Sequence, residues 1–372
     1  MTMTKLLFFG DYVCQAPQKL ILSPDVEGYV STSDVVFCNF EAPISGAGSP
    51  IMKSGPALTQ SPDSPSAVEK LGFNLIGLAN NHMMDMGEDA CKATISQFKQ
   101  ATVFGAGDKG GVYQVKKVKV NDITIGFLAV THKEFGTLDD EVADDVCGTA
   151  WISSSMVNRS IIEAKKECDY LFVLSHAGVE NIDVPLPEWR LRFKEFVDLG
   201  ADAVIASHPH VPQGWEVYND APIFYSLGNF IFDTFSNTHG PYWKKGLAVQ
   251  ISIKEGSKLS YEVLNTIYDN GIVSLDTSED IKNHNRYLCS LLDNEHDYYQ
   301  KLNQSLSQLW RDEYQLYLLR GLGSVGLKTS RNTFIHSAYG MLKGMDVPML
   351  LNNFQCESHR WAIERILRNK LK

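Results

Sequence analysis

The sequence predicts an α/β protein followed by a helical C-terminal extension. Short apolar runs bounded by turn residues recur through the first 250 residues, and stretches with helical periodicity separate them. Such runs are typical of strands buried on both faces, and their alternation with helices is the pattern of α/β folds. Beyond residue 278 the sequence becomes helical throughout. We therefore predict an α/β domain over residues 1–278 and a helical extension over residues 279–372.

The apolar runs and their bounding residues give the predicted elements in order. Strands are predicted over residues 5–9, 35–38, 75–78, 123–130, 170–174, 203–206 and 223–226. Helices are predicted between them over residues 64–72, 87–99, 154–167 and 187–199, the first with Pro65 in its first turn and Gly72 at its end. Alternating patterns near 247–253 and 259–263 indicate antiparallel strands, so the sheet is predicted to be mixed or doubled. The extension is predicted to form helices over 279–292, 297–319, 333–342 and 348–369, with a glycine-rich break at 321–326.

Composition excludes several classes of protein. The 372 residues are 44% hydrophobic and 21% charged, which is typical of a folded globular chain and not of a disordered one. No apolar run reaches the roughly 18 residues that a membrane span needs, so we expect no span. The net charge of −10 argues against a general nucleic-acid binder, because phosphate backbones are bound by basic surfaces.

Charge is distributed unevenly between the two predicted units. Residues 279–372 contain 13 Lys/Arg and 10 Asp/Glu, a net +3, whereas residues 1–278 contain 21 and 34, a net −13. We interpret the extension as a helical cap or an element for homo-oligomerisation. Its basic side chains are interpreted as a solvated face in preference to an anion site.

The cysteines and the first residues bear on the compartment. Seven cysteines are scattered without a Cys-x-x-Cys pair, so neither a disulfide scaffold nor a thiolate zinc site is indicated. The first apolar run, Leu-Leu-Phe-Phe at 6–9, is too short for the apolar region of a signal peptide. We interpret it as a buried first strand and predict a cytoplasmic protein with reduced thiols.

Acidic, amide and imidazole side chains cluster immediately after the predicted strands. They are Asp11; Asn39 and Glu41; Asn80, Asn81 and His82; His176; and His208 with His210. Because α/β sheets bind ligands at the carboxyl ends of their strands, we expect these groups to converge on one edge. Ser-His-Pro-His at 207–210 is the strongest single pattern, since imidazoles two residues apart point to one side of an extended chain.

This donor set predicts metal-assisted chemistry. It mixes nitrogen and oxygen ligands without cysteine, which suits Mn²⁺, Fe or Zn²⁺ at a catalytic site. There are enough ligands for two ions, and two metals about 3.5–4 Å apart can bridge a hydroxide and hold a phosphoryl oxygen. The sequence therefore points to hydrolysis of a phosphoester by a metal-bound hydroxide.

Six stretches of the chain match a known pattern in both order and spacing. They are Phe-Gly-Asp at 9–11, Asn-Phe-Glu-Ala-Pro at 39–43, Leu-Ala-Asn-Asn-His-Met-Met-Asp-Met-Gly at 78–87, Ser-His-Ala-Gly-Val-Glu at 175–180, Ser-His-Pro-His-Val-Pro-Gln at 207–213, and Pro-Ile-Phe-Tyr-Ser-Leu-Gly-Asn-Phe-Ile-Phe-Asp at 222–233. The set resembles the bacterial capsule-synthesis protein CapA family, or poly-γ-glutamate capsule family, of the calcineurin-like metallophosphoesterase superfamily. The resemblance covers residues 5–253 and implies a four-layer αββα fold with the metals at one edge.

The resemblance also implies metal ligands. Asp11 is expected to bind the first metal, with His210 completing that site. Glu41 stands where the superfamily has a bridging Asp. The residues expected at the second metal are Asn81, His176 and His208.

Other residues are implied to act around the metals. His82 would protonate the leaving oxygen, because a positioned imidazolium is a good general acid near neutral pH. Asp85, three residues later, would orient His82 if a helix starts there. The residues expected to line the pocket or to hold the ligands in place are Asn39, Asn80, Glu180 and Asn229.

Three positions depart from the pattern. Val13 occupies the position of a superfamily His, a loss that CapA-like sequences share. Glu41 is one methylene longer than the usual Asp. Ala206 stands where CapA-like sequences usually have Gly.

Three functions stay open on the sequence alone. The first is a dinuclear phosphoester hydrolase acting on a phosphorylated small molecule or polymer intermediate in capsule or surface-polymer synthesis. The second is a non-catalytic assembly or accessory protein of capsule or poly-γ-glutamate synthesis. The third is a metal-dependent amide hydrolase or ligase.

Overall fold

Two β-sheets lie face to face and carry helices on their outer surfaces. The computed structural model describes residues 3–141, 143, 146–234, 241–254, 258–321 and 346–371. Its strands are β1 (Thr4–Val13), β2 (Ile21–Leu22), β3 (Val35–Phe40), β4 (Leu75–Gly77), β5 (Thr102–Phe104), β6 (Ala106–Asp108), β7 (Lys116–Val120), β8 (Ile123–Thr131), β9 (Thr137–Leu138), β10 (Cys147–Ala150), β11 (Tyr170–His176), β12 (Ala203–Ser207), β13 (Trp215–Tyr218), β14 (Ala221–Phe224), β15 (Asn229–Phe232), β16 (Lys245–Ile253), β17 (Ser260–Asp269) and β18 (Ile272–Leu275). Its α-helices are α1 (Pro24–Ser31), α2 (Ser64–Lys70), α3 (Gly87–Gln97), α4 (Lys109–Val112), α5 (Ser155–Ala164), α6 (Pro187–Asp198), α7 (Glu279–Asp293), α8 (Glu295–Leu309), α9 (Gln315–Gly321), α10 (Val347–Gln355) and α11 (Glu357–Lys370).

Each sheet has a parallel centre. The larger sheet has the order β2-β18-β17-β16-β1-β3-β4-β5, and β15 pairs with the last part of β1. Within it β1, β3, β4 and β5 are parallel, whereas β1, β16, β17 and β18 are antiparallel neighbours. The second sheet has the order β13-β14-β12-β11-β8-β7, with β8, β11, β12 and β14 parallel. A small sheet joins β6, β10 and β9.

Alternate side chains of β1 enter two different cores. Leu6 and Phe8 face the second sheet, where the Phe8 ring stacks on Phe172 at a centroid distance of 5.6 Å. Leu7 and Phe9 lie in the core on the other face, with apolar residues of α1, α2 and α3. Because strand side chains alternate, a strand covered on both faces has to be apolar throughout. Helices, two sheets and helices therefore form four layers, and the predicted αββα fold is confirmed.

The helical extension packs on the outer surface of the second sheet. Leu288 of α7, Leu302 of α8 and Ile363 of α11 share one apolar core with Trp189 and Phe193 of α6. The helices close that side of the sandwich as its outermost elements. Within the ranges that the structure describes, no helix has the combined length and apolarity that crossing a membrane requires.

The extension differs from its sequence prediction in two described places. The helix predicted over 297–319 is interrupted by a π-helical turn at Trp310–Tyr314. The helix predicted over 348–369 is two helices, because the backbone is extended at Cys356 (φ −67°, ψ 116°). The break lets the buried Glu357 carboxylate accept hydrogen bonds from Lys133 N–H (3.1 Å) and Trp151 Nε1 (3.3 Å), contacts that helical periodicity does not encode. The predicted helix at 333–342 and residues 322–326 of the predicted break lie outside the described residues.

At Gly10, strand β1 stops pairing with one neighbouring strand and begins pairing with another. We predict that a side chain at this position would clash with the nearby backbone. A Cβ atom at Gly10 would lie 1.8 Å from the carbonyl oxygen of Gly228, which accepts the Asp11 N–H at 3.1 Å. We expect Gly10→Ala to lower the free energy of unfolding by about 1–3 kcal/mol or more, as overpacking does. Gly28→Ala is the matched control, because a Cβ there meets nothing within 4 Å, and it should stabilise helix α1 by about 0.5–1 kcal/mol. Urea unfolding of both variants measures this, and equal effects would contradict the steric argument.

Candidate metal centre

The carboxyl ends of parallel strands from both sheets meet at one edge of the sandwich. Since the inner faces of the sheets are in contact, side chains that follow strands of one sheet reach those of the other. The side chains that meet there, all buried, are Asp11 in β1, Asn39 and Glu41 at the end of β3, Asn80, Asn81 and His82 after β4, His176 at the end of β11, His208 and His210 after β12, and Asn229 at the start of β15.

One group of donor atoms surrounds Asp11. The His210 Nδ1 atom lies 3.5 Å from Asp11 Oδ2, and His210 Nε2 lies 3.5 Å from Glu41 Oε1. One ligand atom from each of the three residues lies within 4.8 Å of the others, a spacing at which a single ion can contact all of them. These are the residues that the sequence analysis assigned to the first metal and to the bridging position.

A second group of donor atoms surrounds His176. The His176 Nε2 atom lies 3.0 Å from Asn81 Oδ1 and 3.1 Å from His208 Nδ1. The same Nε2 lies 3.7 Å from Glu41 Oε1, so the Glu41 carboxylate stands between the two groups. This arrangement is the one expected of a bridging ligand.

Asparagines fix the orientation of the donor groups. Asn39 Nδ2 donates to Asp11 Oδ1 at 2.8 Å and lies 3.0 Å from His176 Nδ1. Asn80 Nδ2 donates to Asn39 Oδ1 at 3.2 Å, which extends the chain of contacts to the loop after β4. Asn229 Oδ1 lies 2.9 Å from His210 Nδ1. Hydrogen bonds of this kind determine the ring orientation of metal-binding histidines.

Glu180 lies at the outer side of the centre. Its side chain is exposed, unlike the other acidic residues of the site. One of its carboxylate oxygens lies within 4.8 Å of ligand atoms of both His208 and His210. Glu180 is therefore placed to contact a bound ligand at the mouth of the centre.

The backbone conformation of the loop at 207–210 differs from the one that the sequence predicted. The extended geometry predicted for it is wrong, because His208 and His210 have φ angles of +103° and +58°. Both lie in the left-handed region, which costs a non-glycine residue of order 1–3 kcal/mol. The turn sends the His208 ring to His176 and the His210 ring to Asp11 and Glu41, and the His208 N–H donates to Asp11 Oδ2 at 3.1 Å.

The charges of the site favour a cation. Burial and the neighbouring Asp11 carboxylate raise the pKa of Glu41 well above its ordinary value. Burial would also raise the pKa of Asp11, but His176 and His210 lower it overall. Burial lowers the pKa of His176 to about 4 and that of His208 well below its ordinary value, so both rings are neutral near pH 7, the form in which imidazole binds metals.

The burial and hydrogen bonding of the Glu41 carboxylate indicate whether these residues fit metal ions. Both of its carboxylate oxygens are buried, and neither has a hydrogen-bond partner among the described residues. Buried carboxylates are normally paired or bound to a metal, because an uncompensated buried charge is costly. The residues present therefore fit a cation between the two groups of donor atoms.

His82 and Asp85 form a separate unit beside the donor groups. His82 Nδ1 lies 2.7 Å from Asp85 Oδ2, which also accepts the Leu58 N–H at 2.7 Å. Residues 82–86 form a turn, so the helix start on which the predicted contact was conditional is absent there, and α3 begins at Gly87, where the predicted helix also begins. The turn is closed by the Asp85 N–H, which donates to the His82 carbonyl at 3.0 Å, so the contact forms without a helix.

Two neighbours of the site were missed by sequence reasoning. Lys53 forms a buried ion pair with Asp85 and lies 3.4 Å from His82 Nδ1; it sits in a loop with no recognisable pattern. His132 follows β8, and its ring meets the His208 ring edge-on at a centroid distance of 4.3 Å. The rule applied to the other strands, a polar residue directly after a buried run, would have found His132.

The Lys53–Asp85 pair predicts a large stability effect. Asp85→Asn leaves the buried Lys53 ammonium without its partner, so we expect the free energy of unfolding to fall by about 3–5 kcal/mol. Removing both charges in Lys53→Met/Asp85→Asn should recover part of that loss. Lys282→Met is the control, because its ion pair with Glu279 is exposed and should contribute less than about 1 kcal/mol. Urea unfolding would contradict the prediction if the single and double variants were equally unstable.

Comparison with known proteins identifies the family of the chain. Residues 5–234, more than half of the chain, match the family described as bacterial capsule synthesis protein PGA_cap. The chain belongs to this family. The resemblance drawn from the six motifs is confirmed, and all six motifs lie wholly inside the matched region.

Relatives within the family carry capsule-related names. The chain is 34% identical over 227 residues to capsule biosynthesis protein CapA of Bacillus anthracis, covering 56% of this chain and 53% of that protein. It is 33% identical over 216 residues to PGA biosynthesis protein CapA of Bacillus subtilis (strain 168), covering 56% of each. The chain thus spans about half the length of the curated relatives it matches. Among solved structures, a putative 5'-nucleotidase from Staphylococcus aureus aligns with a TM-score of 0.47 and 16% identity over 77% of this chain and 58% of that chain.

Proposed function

We propose that the protein is a metal-dependent phosphoester hydrolase that acts in the synthesis of a capsule or a related surface polymer. The single observation that carries the chemistry is the Glu41 carboxylate, buried and without a hydrogen-bond partner among the described residues, between two groups of donor atoms. Membership of the capsule-synthesis family and the names of the two Bacillus relatives support the biological role.

Two divalent ions, Mn²⁺, Fe or Zn²⁺, are the proposed cofactors. One would be held by Asp11 and His210 and the other by Asn81, His176 and His208, with Glu41 between them. Bound there, the ions would supply Lewis-acid stabilisation of charge on a phosphoryl oxygen and would lower the pKa of a water molecule.

The side chains of this protein supply the remaining functions. His82 is proposed to donate a proton to the leaving oxygen, and Asp85 holds its ring through the 2.7 Å contact with Nδ1. Asn39 and Asn229 hold Asp11 and His210 in place. The substrate is proposed to be a phosphorylated small molecule or a phosphorylated intermediate of the polymer.

The test combines elemental analysis with turnover of p-nitrophenyl phosphate and bis-p-nitrophenyl phosphate on the same sample. We expect at least two metal ions per chain and turnover that a chelator abolishes and that added metal restores. Asp11→Ala and His208→Ala should lose metal and turnover together, whereas His296→Ala, an exposed histidine of α8, should lose neither. A protein without bound metal that stays inactive after Mn²⁺ is added would refute the proposal.

A non-catalytic accessory role in capsule synthesis is the second candidate, and Val13 favours it. This residue stands at the position of a superfamily metal ligand, but it packs in an apolar cluster with Leu58, Phe232 and Trp243. Complementation of a capsule-deficient strain separates the two functions. If Asp11→Ala and His208→Ala abolish metal binding but support normal polymer production, the accessory role is correct.

A further inference from the structure

A second cluster of metal-binding side chains lies where the helical extension meets the α/β domain. His132 and Glu134 belong to the segment after β8, and Cys356 lies between α10 and α11. One ligand atom from each of the three lies within 4.8 Å of the others. His132 and Cys356 are fully buried, and the Glu134 side chain is 10% exposed. None of the three has a role in the proposed hydrolysis.

The distances match those around a single zinc ion. Zinc bonds of about 2.3 Å to sulfur and about 2.0–2.2 Å to nitrogen or oxygen place tetrahedral ligand atoms about 3.3–3.6 Å apart. The His132 Nε2 atom lies 3.2 Å from Glu134 Oε1, and Cys356 Sγ lies 3.8 Å from the same oxygen. Both distances are close to these values, and the ligand atoms of His132 and Cys356 lie within 4.8 Å of each other.

The surroundings of His132 are those of a metal ligand. Its Nδ1 atom lies 3.2 Å from Ser358 Oγ, and this oxygen also accepts the Trp189 Nε1–H at 3.1 Å. A hydrogen bond on one ring nitrogen is the usual support for metal binding through the other. That other nitrogen, Nε2, is the atom that faces Glu134.

A further histidine, His359, lies three residues after Cys356 in α11. The Nδ1 atom of His359 is buried and has no hydrogen-bond partner among the described residues. A bound cation would hold the Cys356 sulfur as a thiolate, since a coordinating thiol is deprotonated outright.

We propose that His132, Glu134 and Cys356 bind a third divalent cation, of which zinc is the best match. The inclusion of a thiolate separates this site from the nitrogen and oxygen donors around Asp11 and selects a softer metal. Its ligands come from both sides of the junction, so the ion holds α10 and α11 against the β8 loop. The proposal is independent of the proposed hydrolysis, because it concerns the attachment of the extension.

Cobalt substitution of the full-length protein tests the site without reference to activity. Zinc is removed with a chelator and replaced by stepwise addition of Co²⁺, with absorption recorded in the near ultraviolet. We expect a thiolate-to-cobalt charge-transfer band and elemental analysis near three metals per chain. The wild-type spectrum alone is decisive: a cobalt-saturated protein without the band would overturn the proposal, whatever the folding of any variant.

Three variants assign the band to a residue. Cys356→Ser should lose the band and one equivalent of metal, whereas Cys289→Ser, on the partly exposed side of α7, should lose neither. Asp11→Ala should lose metal from the other centre but retain the band. If Cys356→Ser keeps the band, or if Asp11→Ala abolishes it, the thiolate site is not where we place it.

Discussion

Replacing His82 by glutamine is expected to lower kcat for an alkyl phosphate ester by about 10²–10⁴-fold, the usual contribution of a positioned acid or base. The ring is held by Asp85 at 2.7 Å, beside and not within the two groups of donor atoms. The metal content of His82→Gln should therefore equal that of the unmodified protein. A loss of turnover without a loss of metal is the signature of a proton donor.

Turnover of substrates with different leaving groups provides a second test of His82 as the proton donor. p-Nitrophenolate departs without a proton, so turnover of p-nitrophenyl phosphate should fall much less than turnover of the alkyl ester. His296→Gln serves as the matched control, because that histidine is exposed on α8. Equal losses on the two substrates would mean that His82 positions the substrate and does not protonate it.

Replacing Glu41 by glutamine is expected to raise the free energy of unfolding of the metal-free protein near neutral pH and to lower that of the metal-bound protein. Burial and Asp11 raise the pKa of Glu41 in the folded protein, so the metal-free fold binds a proton that the unfolded chain has released above about pH 4.5. The stability of the metal-free protein is then highest below that pH and falls by about 1.4 kcal/mol per pH unit until the folded-state pKa is passed. Glu41→Gln, which cannot ionise, should lack this component of the slope.

With metal bound, Glu41→Gln is expected to be less stable than the unmodified protein. A saturated site adds about 2.7 kcal/mol of stability at a free metal concentration 100 times Kd. Glu41→Gln should lose most of this gain, because the side chain between the two groups of donor atoms no longer carries a charge. Urea unfolding between pH 5 and 8, with chelator and with Mn²⁺, measures both effects. Parallel slopes for the two metal-free proteins would remove Glu41 as the source of the pH dependence.

The fold was largely predictable because the strands of this sandwich are covered on both faces. Continuous apolar runs such as Leu-Leu-Phe-Phe at 6–9 have few other interpretations, and their polar ends mark the ligand edge. The rule that polar groups at strand ends converge predicted that Asp11, Glu41, His176 and His210 lie close together, as they do in the structure. The rule does not require knowing which sheet each strand joins.

What the sequence could not supply depends on contacts between distant segments. The break at Cys356 follows from hydrogen bonds between Glu357 and the β8–β10 region, more than 200 residues away along the chain. Lys53 pairs with Asp85 across a loop that has no periodicity. The turn at His208 and His210 was missed because strained backbone is imposed by its surroundings and contradicts local preference.

The topology around β1 also bears on when the centre can form during folding. Asp11 accepts a hydrogen bond from His208, 197 residues later, and Asn229 supports His210 from still further along the chain. Loop-closure entropy makes such non-local contacts slow to form compared with helices. Neither half of the chain contains all of the proposed donors, so a nascent polypeptide that ends before His210 lacks a complete set. Metal uptake should therefore be a late event that reports completed chain assembly, and a pulse of metal during refolding would time the docking of the two sheets.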